Sequence, residues 1–97
     1  MVKTWVLDLD TSSADSLSEL KSLLEDCVQD FDKGGCKPVA LEVDFPCLHF
    51  LFLTEEERDM AYEQMSDRGY DIFINDHCVY IDDKYAQGAN TRLYTPS

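Results

Sequence analysis

The sequence predicts an α+β fold in which two helices cover one face of a single antiparallel sheet. Two segments place apolar side chains at helical spacing, and these segments end at Gly34-Gly35 and at Gly69. Strand-like segments with alternating or continuous apolar residues precede, separate and follow the two helices. The resulting order is β-α-β-β-α-β within one domain, residues 1–85, followed by a polar tail, residues 86–97.

The first half of the chain contains one strand and one long amphipathic helix. Apolar and polar residues alternate in the segment Val2 to Leu9, which predicts the first strand. Thr11-Ser12-Ser13 supplies helix-capping side chains, and Ser16 with Glu19 offers a second capping register. The helix is predicted from Ala14 to Phe31. Its apolar face consists of Leu17, Leu20, Leu23, Leu24, Cys27, Val28 and Phe31.

The second half begins with two strands of different character. Val39 to Asp44 alternates, which predicts one solvated face, whereas Cys47 to Leu53 is almost continuously apolar and predicts a central strand. Thr54 and Glu57 form a capping box, so a second helix is predicted from there to about Arg68. Its predicted core face is small and consists of Met60, Ala61 and Met65.

The last strand is predicted as two short pieces, Tyr70 to Ile74 and Cys78 to Ile81, on either side of Asn75-Asp76-His77. Leu93-Tyr94 in the tail could add one edge strand. Two right-handed β-α-β crossovers give a ferredoxin-like sandwich, and a swapped strand order is the main alternative.

The charge of the chain limits its partners. Asp and Glu number 20 and Lys and Arg number 8, so the net charge is -12, yet five Phe, five Tyr and one Trp indicate a folded core. Such a surface repels nucleic acid and anionic membranes and attracts basic proteins. No apolar run is long enough to span a bilayer and no secretory leader is visible, so we expect a cytoplasmic protein with reduced thiols.

The chemistry-bearing residues do not form a recognisable catalytic or metal-binding pattern. The cysteines Cys27, Cys36, Cys47 and Cys78 lack the spacing of a zinc site. We expect His49 to be a half-buried strand residue with a satisfied hydrogen bond and His77 to be an exposed turn residue. A hydrolytic site would need a nucleophile, a base and an orienting group together. The sequence therefore predicts a protein that is not an enzyme and needs no cofactor or metal.

The element order also resembles that of RNA-recognition motif domains. Trp5-Val6-Leu7-Asp8-Leu9 resembles the first-strand signature of that family, and Phe50 and Phe52 lie on the third strand, where the family places stacking aromatics. However, the third-strand segment Pro46 to Leu53 lacks the basic residue and the glycines of the family pattern. Because RNA binding also needs a cationic surface, we interpret the three aromatic residues as core or sheet residues.

Rows of acids are the strongest functional signal in the sequence. The first helix carries a stripe beside its apolar face, and we expect all of its members to face solvent: Asp15, Glu19, Asp26 and Asp30. The second helix carries Glu55, Asp59 and Glu63 four residues apart, with Glu56 beside them. Lysines at i+4 usually balance such acids, and here they mostly do not. With both helices on one side of the sheet, we expect a single anionic surface.

Two functions remain open at this point. In the first, rows of carboxylates occupy a cationic groove built for phosphates. In size, charge and element order the chain resembles the small acidic anti-CRISPR proteins of phages and mobile elements, which implies a CRISPR effector as the leading partner. In the second, the chain is a regulatory or assembly module, a monomer or weak homodimer, that binds a protein through its sheet face or edge. Outward-facing Trp5, Phe50 or Phe52 would favour the second function.

Overall fold

A computed structural model describes residues 1–44 and 46–84 as one sheet and two helices. The elements are β1 (Val2–Asp10), α1 (Leu17–Gly34), β2 (Ala40–Asp44), β3 (Cys47–Phe52), α2 (Glu55–Asp67) and β4 (Ile72–Ile81). The strand order is β2-β3-β1-β4, and all neighbouring strands are antiparallel. The predicted ferredoxin-like sandwich is confirmed and the swapped order is excluded. The predicted polar tail, including Leu93-Tyr94, lies outside the described residues.

Local capping chemistry sets the helix ends. The Ser16 hydroxyl accepts a hydrogen bond from the Glu19 backbone N–H at 3.2 Å, so α1 begins at Leu17 rather than at Ala14. Gly35 ends this helix in the left-handed conformation with φ of 75°. The predicted capping box of α2 is confirmed, because the Thr54 side chain accepts from the Glu57 backbone N–H. Both helix starts were therefore encoded within a few residues.

The main core lies between the helices and the sheet. The ring of Phe31 on α1 packs edge-on against Phe50 at 4.9 Å and Phe52 at 5.8 Å between ring centroids. Trp5 is the strand partner of Phe52, so it points to this same face, where it is partly buried. The expectation that these aromatics are core or sheet residues agrees with this placement, and Phe50 and Phe52 offer no outward apolar surface.

Two apolar residues that were assigned to the core are exposed. Leu17 is 83% exposed at the first position of α1, and Met60 is 57% exposed on α2. A helix turns by about 100° per residue. The buried face of α2 is formed by Arg58, Ala61 and Met65, and this spacing leaves Met60 on the solvent side.

The last strand is continuous, and the prediction of two short strands is wrong. Trp5 pairs with Cys78 and Val6 pairs with Asn75, so Asp76 and His77 have no partner on β1 and form a bulge. The Asn75 side chain accepts a hydrogen bond from the His77 backbone N–H at 2.9 Å, which stabilises the bulge. A turn-like sequence is thus accommodated inside β4, because β1 remains its partner on both sides.

The second face of the sheet, opposite the two helices, is also buried in part. Val6, Val39 and Leu51 form a small apolar cluster there. The Thr4 hydroxyl on this face is buried and donates a hydrogen bond to the Val79 carbonyl at 2.6 Å. Next to this cluster the second face carries the buried carboxylate of Asp8.

Candidate functional site

The solvent-facing side of α2 is lined by carboxylates. All of its members are exposed: Glu55, Glu56, Asp59, Glu63 and Asp67. The one cation of this helix, Arg58, lies buried beneath them, with its Nη2 atom 3.4 Å from Glu55 and 2.9 Å from Asp59. The other three, Glu56, Glu63 and Asp67, have no ion pair within the described part of the chain. We call these five residues the α2 acidic face.

Asp67 is a member of this face that the sequence interpretation missed. It continues the four-residue series of Glu55, Asp59 and Glu63 by one more step, so the same periodicity could have found it. From Glu55 to Asp67 the helix rises about 18 Å at 1.5 Å per residue. Successive charges are about 1.5, 4.5, 6 and 6 Å apart along the helix axis, which is on average wider than the roughly 3.4 Å axial rise between phosphates along one DNA strand.

The acids of α1 are less free than expected. Asp15 and Asp26 are exposed and have no ion pair in the described residues. Glu19 is exposed, but its carboxylate accepts a hydrogen bond from the Asp15 backbone N–H at 2.8 Å, just before the Ser16 cap. Of the four acids in the predicted stripe, only Asp15 and Asp26 therefore combine exposure with the absence of a side-chain contact in the described residues.

Asp30 does not face solvent, and that expectation is wrong. Its side chain is 13% exposed, accepts a hydrogen bond from the Tyr70 hydroxyl at 2.8 Å and lies 3.4 Å from Arg68. The Asp30 carbonyl also accepts a hydrogen bond from the Gln64 side chain of α2. Burial, followed by the hydrogen bond to Asp30, raises the pKa of Tyr70. Asp30 therefore holds α1 to α2 and to the start of β4.

The acidic residues of the two helices extend in opposite directions from the helix contact. Gly34 of α1 lies against Gln64 of α2, and Asp30, one turn earlier on α1, lies 3.4 Å from Arg68. The helices are therefore antiparallel and touch near their C-terminal ends. Glu19 lies about 16 Å along α1 from Asp30 at 1.5 Å per residue, whereas Asp26 lies one turn from it. The expected single anionic surface stays a prediction.

A buried polar cluster links all four strands on the second face of the sheet. His49 of β3 is bonded through Nδ1 to Asp8 of β1, and its Nε2 lies 3.6 Å from Asp44 of β2. Asn75 of β4 donates to the other oxygen of Asp8 at 3.0 Å. The side chains of His49 and Asp8 are 13% and 5% exposed. The prediction of a half-buried, hydrogen-bonded His49 is confirmed.

This cluster does not couple the histidine to a nucleophile. Both ring nitrogens of His49 face carboxylates, and within the described residues no hydroxyl or thiol is bonded to the ring. In residues 1–44 and 46–84, no three His, Cys, Asp or Glu side chains are grouped so that they could hold a metal ion. The cluster therefore joins the four strands and contains a histidine that can gain or lose a proton.

The four cysteines are free thiols, of which Cys27 and Cys36 are buried and Cys47 and Cys78 are partly buried. Burial, with the nearby charges of Asp30 and Asp26, raises the pKa of Cys27 to about 12. We therefore expect the Cys27 thiol to react slowly with a disulfide reagent at pH 8 in the folded protein, because the thiolate is the reactive form. Four thiols should be titrated in urea. Cys27→Ala should remove the slowest native phase, and an unchanged slow phase in that variant would contradict the assignment.

Neither α1 nor α2 has the length and apolar character needed to cross a lipid bilayer. Comparison with protein-family models, with curated proteins and with solved structures finds no match for this chain.

Proposed function

We propose that this protein is a non-enzymatic inhibitor that binds a basic, nucleic-acid-binding protein in place of its nucleic acid. The observation that carries the proposal is the α2 acidic face, in which Glu56, Glu63 and Asp67 are exposed and have no ion pair in the described residues. The five carboxylates form a row of exposed negative charge along about 18 Å of the helix. A groove that binds phosphates would therefore meet a row of charges of the same sign.

Electrostatics favours this kind of complex at long range. The net charge of -12 draws a cationic partner toward the protein, and it repels nucleic acid. Charges at the rim of an interface act mainly on the association rate and are screened over about 10 Å at 0.1 M salt. We therefore expect binding that weakens as salt is raised, with the largest change in the association rate.

A CRISPR effector is the leading partner under this proposal. That choice rests on the resemblance in size, charge and element order to small acidic anti-CRISPR proteins. The most direct assay adds the protein to guide-loaded effector complexes and measures target-DNA binding and cleavage. Affinity capture at low and high salt, with the bound proteins identified by mass spectrometry, extends the search to other basic partners.

Reversal of the unpaired acids on α2 tests the proposed surface. We expect Glu56→Lys, Glu63→Lys and Asp67→Lys together to weaken binding by roughly tenfold to hundredfold, because three attractive charges become repulsive. The matched control reverses three exposed acids elsewhere, Glu25, Asp71 and Asp76, so its net charge is the same. Titration of a captured partner by surface plasmon resonance, after circular dichroism has shown that both variants fold, gives the comparison.

Two results would contradict the proposal. Equal losses in both triple variants would show that only total charge matters, and simultaneous binding of this protein and nucleic acid to the partner would exclude competition. The protein alone is expected not to bind oligonucleotides even at about 50 mM salt, because its net charge of -12 repels the phosphates. A double variant, Asp15→Lys with Asp26→Lys, tests whether these two acids contribute to binding of the partner.

One feature of the structure favours the alternative function, an assembly module that binds a protein through its sheet. Phe50 and Phe52 are buried, so they offer no outward apolar patch. However, β4 is an outer strand of the sheet formed by the described residues, and Phe73 and Tyr80 on it are 45% and 57% exposed. If the α2 variants bind normally, β4 is the next surface to alter.

A further inference from the structure

The contacts of the two ring nitrogens of His49 favour the protonated imidazole in this fold. A neutral imidazole has one N–H donor, and its other nitrogen carries a lone pair. Here Nδ1 is bonded to the carboxylate of Asp8, and Nε2 lies 3.6 Å from the carboxylate of Asp44. If only Nδ1 carried a proton, the Nε2 lone pair would face a negative oxygen. The geometry therefore fits the doubly protonated imidazolium, which donates toward both carboxylates.

We propose that His49 is a proton-controlled latch that fastens the edge strand β2 to the centre of the sheet. In the protonated form, the ring joins Asp8 of β1 to Asp44 of β2 across β3. When the ring loses a proton, the bond to Asp8 can persist through the remaining N–H, while the Asp44 contact loses its attraction. Because the Asp44 side chain is 80% exposed, it can then turn into solvent, so the C-terminal end of β2, which pairs with the start of β3, is held less firmly.

The groups around His49 support the sign of this effect. Asp8 faces the ring from β1, Glu42 and Asp44 lie on β2, and β4 contributes only the uncharged amide of Asn75. Both helices pack on the other face. Burial alone would lower the pKa of His49, but the hydrogen bond and charge of Asp8, joined by Asp44 and Glu42, raise it above its ordinary value. Cys47, on the same strand, is kept neutral because burial and nearby carboxylates raise its pKa.

The direction of the pH dependence follows from this raised pKa. A group that binds its proton more tightly in the folded state stabilises that state fully below its unfolded pKa. The stabilisation is then lost as the pH rises through the folded pKa. We therefore expect β2 to be held most firmly in mildly acidic solution and to loosen above the titration midpoint of His49.

The chain has two histidines, so nuclear magnetic resonance can follow each imidazole directly. In the His77→Gln variant the remaining imidazole signal belongs to His49, and this assigns it in the parent protein. We expect the His49 midpoint in the folded protein to lie above that of the same residue in urea, and Asp8→Asn to shift it downward. Asp44→Asn should shift it downward by a smaller amount, because its contact is longer and more exposed.

Amide hydrogen exchange tests the latch itself. Above the His49 midpoint, protection of the β2 amides and of the β3 amides bonded to β2 should fall by about threefold to tenfold after correction for the intrinsic rate, while β1 and the β3 amides bonded to β1 remain protected. His77→Gln should behave like the parent protein, and Asp44→Asn should show weak β2 protection at every pH. Because Asp44 is exposed, that variant should fold even if His49→Gln does not. A folded midpoint at or below the urea value, or pH-independent β2 protection in the parent, would overturn the proposal.

Discussion

Replacing Phe31 with alanine is expected to lower the free energy of unfolding by about 3–5 kcal/mol. Phe31 is the residue of α1 that enters the centre of the core, where its ring packs edge-on against Phe50 and Phe52. All three side chains are fully buried, so the truncation leaves a cavity under the helix and removes two aromatic contacts. Because small domains are stable by only about 5–15 kcal/mol, this single change should bring the protein close to unfolding.

Leu17→Ala on the same helix is the matched control. Leu17 is 83% exposed, so its truncation should change stability by no more than about 0.5 kcal/mol. Urea denaturation followed by circular dichroism compares the two variants under identical conditions. A loss below about 1 kcal/mol in Phe31→Ala would show that α1 does not pack against β3 as described.

The helix-capping residues were predictable from the sequence because their interactions are local. The Ser16 hydroxyl accepts from the Glu19 backbone N–H at the start of α1, and the Thr54 hydroxyl accepts from the Glu57 backbone N–H at the start of α2. These interactions span only three residues and need no information about the rest of the chain. The predicted start of α1 at Ala14 was nevertheless wrong, because the helix uses the second capping register, Ser16 with Glu19.

The environment of single residues was harder to predict because it depends on distant partners. Periodicity places Met60 near the apolar face of α2, but the helix contacts the sheet through Ala61 and Met65 instead. Likewise, Asn75-Asp76-His77 has the composition of a turn, yet β1 pairs with β4 on both sides of it. In both cases the tertiary contacts outweighed the local preference.

The candidate site likewise contains features that the local sequence predicts and features that depend on distant partners. The acidic face of α2 followed from spacing alone, since every fourth residue from Glu55 is acidic and the helix has one exposed side. The Asp8–His49 pair could not be foreseen, because it depends on the register between β1 and β3. Helical periodicity also could not show which flank of α1 meets its neighbour, and this is why Asp30 was placed among the solvent-facing acids.

Asp30→Lys is expected to destabilise the protein by about 3 kcal/mol. The substitution removes the acceptor of the Tyr70 hydroxyl and places a positive charge beside Arg68. Arg68 is 46% exposed, so most of the loss should come from the Tyr70 bond and the new repulsion rather than from the original ion pair. Asp30→Asn, which keeps an oxygen acceptor but no charge, should lose less, about 1 kcal/mol.

Asp26→Lys separates this structural role from an effect of charge alone. Asp26 lies one helical turn before Asp30, is exposed and has no ion pair in the described residues, so its reversal should cost no more than about 0.5 kcal/mol. If Asp30→Lys were as stable as Asp26→Lys in urea denaturation, the link from α1 to Tyr70 would be refuted. If the expected difference is found, reversing Asp15, Glu19, Asp26 and Asp30 together would weaken binding partly by unfolding the protein. Binding experiments on α1 should therefore reverse only Asp15 and Asp26, which leave the helix contact and the hydrogen bond of Glu19 intact.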